Sequence, residues 1–532
     1  MGNYFPSRRI SLRLVALSLL AGLGETSSFS DGFQSLQDWI GISGNVSGGV
    51  SVPLSAACDL LSTIQPSQTL PPGTAAYEGV RAKYWDRSQR DSSPACIFQP
   101  RSAAEVSLSL VILRHTNTPF AIKSGGHGQW HGESSIDGGV TIDLARISHL
   151  DLGEDGKDLS VGPGNRWVDV YTALEPLSLT VIGGRSAYVG VGGFLQGGGI
   201  SFHSNKYGWG LDNIKEFQVV LGNGTITTAS STQNPKLYKA LRGGGANFGI
   251  VTSFVLDTYP YTGGWGGVWA TTLDQEDAVI DALLHYGENV KKDPNPSFLP
   301  ALHFYEGQWV WVGDLFYCDG VTARPSVFDK LYEIPSIFET TGPKSLSKKA
   351  WEMAQSYPEA EYNTMWVFCT KVDKRLIKLY SAAWQREGNK LIDIDGIRMT
   401  AVVQLITSQT ASFFRRRGGN GLGMPDDEPF LMFNIEPHWK DAGQSWRVYR
   451  AMKTVADEVI AEAERLELAV DYIYINYASQ FQNGFGKSAE GAPVAAGKFL
   501  EEVSREYDPD RVFQKLRGAG FKLDGAHVSR VP

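Results

Sequence analysis

Residues 122–128 read Ile-Lys-Ser-Gly-Gly-His-Gly, and this run begins at the end of an apolar strand predicted over 120–123. Its glycines permit a tight turn whose backbone N–H groups can approach a phosphate. His127 lies in this turn, where a neutral imidazole can attack an electrophilic carbon. Because Gly-Gly-His also occurs in ordinary turns, the interpretation depends on the segments that follow.

Glycine is concentrated in further clusters along the chain. It supplies 59 of 532 residues, more than the roughly 7 per cent of average usage. Residues 190–199 read Gly-Val-Gly-Gly-Phe-Leu-Gln-Gly-Gly-Gly, and 242–252 read Arg-Gly-Gly-Gly-Ala-Asn-Phe-Gly-Ile-Val-Thr. Clusters beside apolar runs indicate backbone that approaches one long ligand from several directions. For any single cluster, a tight turn between strands is the alternative.

The second cluster also has to be compared with a Rossmann dinucleotide motif. That motif needs a strand before the glycines, a helix after them and an acidic residue about 20 positions further on. Asp212 lies near that distance. However, 197–199 are consecutive glycines, each costing about 1 kcal/mol in a helix relative to alanine. A simple Rossmann motif is therefore not expected.

Taken in order, these segments resemble the flavin domain of the vanillyl-alcohol oxidase superfamily, specifically its fungal berberine-bridge-enzyme-like oxidases. The resemblance extends from about residue 58 to residue 523. It implies an α+β fold in which a two-lobed PCMH-type FAD-binding domain carries an inserted antiparallel-sheet substrate domain. The matching segments are 122–128, 160–171, 189–213, 241–252, 474–477 and 507–513.

The length of the chain and the change of its composition after residue 260 indicate more than one domain. A chain of 532 residues exceeds what one ordinary core supports. After Tyr259-Pro260 the sequence changes to aromatic-rich strands that alternate with amphipathic helices, predicted over 276–290 and 444–466. We expect a signal peptide at 1–24, an FAD-binding domain at 25–260, a substrate-binding domain at 261–470, and a segment returning to the FAD domain at 471–532.

The N-terminal region is typical of a secretory signal. Three arginines without any acidic residue precede an apolar run at 14–23 and small residues at 21–24, as in cleavable signals. A short membrane anchor is the alternative. No later segment is apolar and long enough to span a bilayer, so we expect a secreted protein with no membrane partner. The net charge of −8 and the lack of a basic stretch disfavour a nucleic-acid partner.

The four cysteines permit three pairings in an exported chain. The family resemblance implies a disulfide between Cys58 and Cys96. Cys318 and Cys369 are expected either to pair or to be two buried thiols.

Two sequons, at Asn45 and Asn223, are candidate glycosylation sites. Asn223-Gly224 is also a strong hairpin signal between strands predicted over 217–221 and 225–227. A structural use of this second sequon is therefore equally compatible with the sequence.

The resemblance also implies how a cofactor is held. It assigns His127 as the residue bonded to the 8α carbon of FAD, a bond that raises the flavin potential. Several relatives form a second bond through a cysteine at the position of Ser186, and serine cannot form that thioether, so a single linkage is expected. No metal site is predicted. The residues expected to contact FAD are Lys123, Ser124, Gly125, Gly126, His127, Gly128, Gly190, Gly192, Gly193, Gly197, Gly198, Asn247, Gly249, Ile250, Val251, Asn476 and Tyr477.

The residues expected to carry catalysis come from the same resemblance. Val189 lies where the family places a residue over the flavin face at which oxygen reacts, and a valine there is compatible with oxidase behaviour. An ordinary strand valine is the alternative. Asn434 aligns with an acidic position of the family, and an amide cannot take a proton.

Tyr477 is therefore the predicted base, with Tyr474 and Gln404 nearby. A tyrosine base needs its pKa of about 10 lowered, which requires a cationic neighbour or flavin contact. Glu436 and His438 share one face of a strand and either line the pocket or have structural roles.

We expect an FAD-dependent oxidase in which a small-molecule C–H donor, an alcohol, an amine or a secondary-metabolite intermediate, transfers a hydride to flavin N5. Molecular oxygen then accepts the electrons and gives hydrogen peroxide. Carbohydrate oxidation is one alternative, although carbohydrate oxidases of this type usually carry two covalent bonds, which Ser186 disfavours. A non-redox cyclase that uses FAD structurally is an alternative of another class.

Overall fold

The computed structural model describes residues 56–356, 361–424, 428–485 and 495–523 of the chain. The predicted signal at 1–24 and the sequon at Asn45 lie outside these residues. No helix within the described ranges has both the length and the apolar character of a bilayer span.

The N-terminal sheet contains the strand that leads to the His127 turn. Its order is β1-β2-β4-β3, with β4 parallel to both β2 and β3. Helix α4 connects β2 to β3, which lie on either side of β4 in this sheet. The expected disulfide joins Cys58 of α1 to Cys96 of β2. The elements are α1 (Ala56–Ile64), β1 (Thr69–Leu70), α2 (Ala75–Arg81), α3 (Arg87–Arg90), β2 (Cys96–Phe98), α4 (Ala103–His115), β3 (Phe120–Lys123) and β4 (Val140–Asp143).

The central sheet is antiparallel, in the order β5-β6-β10-β8-β9, and β7 pairs separately with β11. The predicted hairpin between β8 and β9 is confirmed: Gly224 has φ +87°, and Thr225 N donates to Asn223 Oδ1 at 3.0 Å. The elements are β5 (Leu150–Leu152), β6 (Asp158–Val161), α5 (Trp167–Leu174), β7 (Leu179–Thr180), α6 (Val191–Gly197), α7 (Ser204–Tyr207), β8 (Ile214–Val220), β9 (Ile226–Ser230), α8 (Pro235–Leu241), β10 (Ile250–Asp257) and β11 (Tyr259–Pro260).

The large sheet is antiparallel, in the order β15-β12-β14-β13-β19-β20-β18-β21, with β16 paired to β12 and β17 to β20. Its elements are β12 (Gly264–Thr272), α9 (Glu276–Asn289), β13 (Pro296–Tyr305), β14 (Gln308–Tyr317), α10 (Asp329–Tyr332), β15 (Phe338–Glu339), β16 (Gly342–Lys344), α11 (Leu346–Ala354), β17 (Tyr362–Asn363), β18 (Trp366–Lys371), α12 (Lys374–Gly388), β19 (Arg398–Ile406), α13 (Ser408–Ala411), β20 (Phe430–Trp439), α14 (Ser445–Arg465) and β21 (Ala469–Val470).

The two amphipathic helices predicted in this region are confirmed as α9 and α14. Apolar residues of α14 recur at helical spacing, at Val448, Met452, Val455 and Val459, and all four are fully buried. Burying each such side chain contributes about 1.5–3 kcal/mol. They pack with Leu431, Phe433 and Ile435 of β20 in one core.

Strand β20 therefore presents two different faces. Its odd-numbered residues pack toward the helices, so period-two alternation turns Met432, Asn434, Glu436 and His438 to the opposite face. Met432 packs there with the core of the central sheet. The polar residues of β20 thus lie on the side of the sheet that faces the glycine-rich half, which is the part of the molecule formed by residues 56–260 with the three glycine clusters.

The C-terminal segment returns to the glycine-rich half through α15 (Ala495–Tyr507) and α16 (Val512–Lys515). Phe513 of α16 packs edge-to-face on Phe120 of β3, with ring centroids 6.0 Å apart. Asn476 Nδ2 donates to Phe194 O at 3.1 Å. The mixture of helices with parallel and antiparallel sheets confirms the predicted α+β class.

Cys318 and Cys369 are separate buried thiols in the described part of the chain. Of the two alternatives from the sequence, the unpaired one is present.

Candidate functional site

A cavity lies between the glycine clusters, the large sheet and the C-terminal segment. Most residues predicted to contact a cofactor or substrate line it. They are Ser124, Gly125, Gly126, His127, Gly128, Val189, Gly190, Gly192, Gly193, Gly197, Asn247, Gly249, Ile250, Val251, Tyr474, Asn476 and Tyr477.

The first two glycine clusters are packed backbone to backbone. A Cβ on Gly125 would lie 2.5 Å from Gly190 N, and a Cβ on Gly190 would lie 2.2 Å from Gly125 N. Ser124 Oγ accepts from Gly192 N at 3.1 Å and donates to Pro163 O. These glycines therefore build the cavity wall as well as allowing a ligand to approach it.

Two of the predicted cofactor contacts do not line the cavity. The Lys123 ammonium turns to the neighbouring strand and pairs with Asp143 at 3.1 Å, with both side chains buried. Gly198 has φ +139°, and the space where its Cβ would lie is filled by Tyr474 and Trp209. Both residues support the wall from behind.

Two of the predicted catalytic residues also lie behind the wall. Gln404 Oε1 accepts from Arg185 Nη2 at 3.2 Å. The Asn434 amide donates to Glu436, and it is Glu436 that lines the cavity. The alignment placed the acidic position at Asn434, whereas the carboxylate stands two residues later on the same face of β20.

His127 is a neutral imidazole in the cavity wall. Its ring stacks on the Trp85 indole, with centroids 4.3 Å apart and an interplanar angle of 11°. Desolvation lowers the pKa of His127 to about 3, and the Arg166 guanidinium acts in the same direction. A neutral imidazole has a free ring nitrogen, which is the form that acts as a nucleophile.

Arg185 is a buried cation that the sequence reasoning missed. It lines the cavity and donates through Nη2 to Tyr477 OH at 2.6 Å. Burial nevertheless raises the pKa of Tyr477, and Arg185 opposes that rise only in part. Tyr477 is therefore a neutral phenol at ordinary pH, and the Glu436 side chain lines the same cavity.

Several other lining residues carry no sequence signal of their own. Met353 of α11 and Met365 before β18 add apolar surface, and Glu133 and Arg517 add charge. Burial raises the pKa of Glu133 to about 7. Arg517 Nη2 donates to Asn247 Oδ1 at 3.1 Å, which fixes the Asn247 side chain.

Comparison with known proteins identifies the family. Residues 94–230 match the family described as "FAD binding domain". Over 470 residues the chain is 33% identical to the FAD-dependent monooxygenase tpcD of Cochliobolus heterostrophus, covering 85% of this chain and 89% of that protein. It is 32% identical over 437 residues to the bifunctional solanapyrone synthase of Alternaria solani, covering 81% and 82%.

Solved structures agree with this match. The xylooligosaccharide oxidase of Myceliophthora thermophila aligns with a TM-score of 0.71 at 19% identity, over 88% of this chain and all of that one. Berberine bridge enzyme of Eschscholzia californica aligns with a TM-score of 0.67 at 16% identity, over 88% and 99%. The chain belongs to the family of these fungal FAD-dependent enzymes and is an FAD-dependent oxidoreductase, and it has the fold of berberine bridge enzyme. The predicted PCMH-type FAD-binding fold is confirmed.

The cavity of this flavoenzyme suits FAD chemically. Ser186 and Gln196 line it, and the buried atoms Ser186 Oγ and Gln196 Nε2 have no hydrogen-bond partner among the described residues. A buried polar group left unpaired costs about 1–3 kcal/mol. The polar edge of an isoalloxazine ring offers donors and acceptors that would satisfy such groups.

Metal chemistry has no equivalent site among the described residues. No group of three or more His, Cys, Asp or Glu side chains in those ranges is arranged to hold an ion. Enzymes of this family act on small-molecule substrates.

Proposed function

We propose that this flavoenzyme carries FAD through one covalent bond to His127 and oxidises a small molecule by removing a hydride, with molecular oxygen as the final acceptor and hydrogen peroxide as the product. The observation that carries the proposal is the shared cavity. A neutral, desolvated His127 lines the same space as the carboxylate of Glu436 and the cation of Arg185.

A single attachment point follows from the residues at the two candidate positions. His127 has the nucleophilic form of the imidazole at neutral pH. Ser186 lines the cavity as well, but a serine hydroxyl has no counterpart to the cysteine thiolate. We therefore expect one bond and no thioether.

When bound, FAD supplies the hydride acceptor, which no protein side chain can provide. The residues of this chain then handle the proton. Glu436 is 3% exposed and receives a hydrogen bond from Asn434, which orients the carboxylate. In that position it can accept the proton of a substrate O–H or N–H as the adjacent C–H bond breaks.

Arg185 and Tyr477 form the second polar group of the site. Their 2.6 Å hydrogen bond places a buried positive charge beside a phenol. Such a pair can hold and polarise a substrate oxygen while Glu436 takes the proton. In this proposal Tyr477 is a hydrogen-bonding residue and not the base.

The apolar lining favours a metabolite over a sugar chain. Met353, Met365, Ile200 and Phe485 all face the cavity, and thioether side chains adapt to irregular apolar surfaces. Val189 lies in the same wall, where a small side chain leaves room for oxygen. We propose a secondary-metabolite intermediate as substrate, with carbohydrate oxidation as the alternative.

Secretion is part of the proposal. The Cys58–Cys96 disulfide is of a kind that persists in oxidising compartments, and Asn223 lies exposed in its turn. We also propose the domain division at 25–260, 261–470 and 471–532, since the strands of the large sheet all fall between Gly264 and Val470.

The test is a substrate screen with two readouts. Purified enzyme is mixed with sugars, alcohols, amines and polyketide-like compounds, first without oxygen to follow flavin bleaching, then with labelled oxygen. We expect bleaching followed by one hydrogen peroxide per product. Product formation without bleaching would support the non-redox cyclase, and label in the product without peroxide would support monooxygenation.

A further inference from the structure

Trp85 covers one face of His127 and has no role in the function proposed above. The indole is 3% exposed, and it lies nearly parallel to the imidazole, at 11° and 4.3 Å between centroids. The lone pair of an imidazole nitrogen lies in the plane of the ring. The partner that fixes this plane therefore fixes the direction in which the nitrogen can attack.

Trp85 is itself held by the loop that carries His127. Its backbone N–H donates to Gly126 O at 3.0 Å. Because Gly126 precedes His127, the indole and the imidazole share one rigid connection. The stacking is thus set by backbone geometry and not only by contact between two side chains.

The large sheet holds Trp85 from the opposite side. Asn363 of β17 donates through Nδ2 to Trp85 O at 2.7 Å, and its backbone N–H donates to Asp86 Oδ1 at 2.8 Å. His438 of β20 meets the indole edge-on at 6.3 Å and hydrogen-bonds Asn363. The buried side chains of Asp86, Asn363 and His438 therefore connect strands β17 and β20 to the indole that stacks on His127.

We propose that Trp85 is a positioning residue for covalent flavin attachment: its indole, clamped between the His127 loop and the large sheet, sets the ring plane from which His127 bonds to FAD. This inference rests on the proposed covalent linkage. It adds that attachment requires the glycine-rich half and the large sheet to be docked.

The unprotonated nitrogen of the neutral imidazole bonds to the 8α carbon, which loses one hydrogen, and the other ring nitrogen loses the hydrogen that it carried. The two electrons that leave with those hydrogens reduce the flavin, and molecular oxygen takes up the electrons and both protons to give hydrogen peroxide. Orientation controls the rate of such a step, since misplacement by about 1 Å costs up to about a hundredfold.

The test compares Trp85→Leu with Trp85→Phe in the full-length enzyme. Each variant is incubated in air with excess FAD, and the fraction of flavin that stays with acid-precipitated protein is followed over time. We expect attachment in Trp85→Leu to be at least about tenfold slower than wild type, and Trp85→Phe, which keeps a flat ring, to recover most of the rate.

Trp269→Leu is the matched control, because Trp269 is a fully buried indole of the large-sheet core that does not line the cavity. It should attach FAD at the wild-type rate per folded molecule, with folding checked by thermal melting. Equal rates in Trp85→Leu and Trp85→Phe would overturn the positioning role. Wild-type enzyme that releases all its flavin on precipitation would instead overturn the linkage to His127.

Discussion

The two halves of the molecule build the active site in different ways. In the glycine-rich half the wall consists of backbone, and the residues that form it are neighbours in sequence, at 124–128 and 190–197. In the large sheet the wall consists of side chains, and Glu436 reaches the cavity through strand register. The cofactor side is thus a local property of the chain, and the substrate side is a tertiary one.

Glu436→Gln should have the largest effect, because it removes the proposed base while keeping the shape of the side chain. We expect the rate of anaerobic flavin reduction to fall by about 10²–10⁴. Stopped-flow absorbance with the best substrate from the screen measures that rate. Tyr477→Phe should lose less, and the reverse order would return the base role to Tyr477.

A methyl group at Gly190 should break the glycine-rich wall. Its Cβ would lie 2.2 Å from Gly125 N, and such overpacking costs about 1–3 kcal/mol or more. We expect Gly190→Ala to lower the melting temperature and the FAD content. At Gly79, an exposed position of α2 that does not line the cavity, a Cβ would meet nothing within 4 Å among the described residues, so Gly79→Ala should retain FAD, and equal losses in both would contradict the account.

Removal of the disulfide should destabilise the N-terminal sheet and leave the packing of the large sheet unchanged. Cys58 and Cys96 are separated by 38 residues, a loop for which closure entropy amounts to about 4 kcal/mol. We expect the Cys58→Ala, Cys96→Ala double variant to unfold at lower denaturant concentration. Cys369→Ala is the control in the large sheet, where loss of one buried thiol should cost less.

Glu133 gives the smallest predicted effect, on the pH dependence of stability. Burial raises its pKa from an ordinary 4.5 to about 7, so the folded state holds a proton that the unfolded state releases between those values. Its contribution is present below about pH 4.5 and is lost as pH rises through about 7. Melting curves at pH 5.5 and pH 8 should differ less in Glu133→Gln than in wild type; an unchanged difference would contradict the assignment.

The difference between the two halves also explains which features could be predicted from the sequence. Strand β3, the Asn223-Gly224 hairpin and helices α9 and α14 depend on local conformation and periodicity, and their predictions hold. Lys123 is the last residue of β3, immediately before the turn, but its side chain points to Asp143 because neighbours on a strand alternate. The position of Lys123 beside the turn in the sequence therefore does not bring its side chain into the cavity.

The residues on the substrate side of the cavity were harder to predict from the sequence, for a physical reason. Asn434 and Glu436 lie on one face of β20, and only the packing of the large sheet against the other half determines which of them reaches the cavity. Arg185 follows Gly183-Gly184 in a segment without periodicity, and Trp85 lies far from His127 in sequence. Contacts such as these join segments that are far apart in the chain, which no local pattern encodes.

The most direct test of the central claim is the intact mass of the denatured protein. For wild type we predict the mass of the mature polypeptide plus one FAD, and for His127→Ala the mass of the polypeptide alone. Wild-type protein that loses FAD on denaturation, or His127→Ala protein that keeps it, would contradict the assignment of His127 as the attachment site.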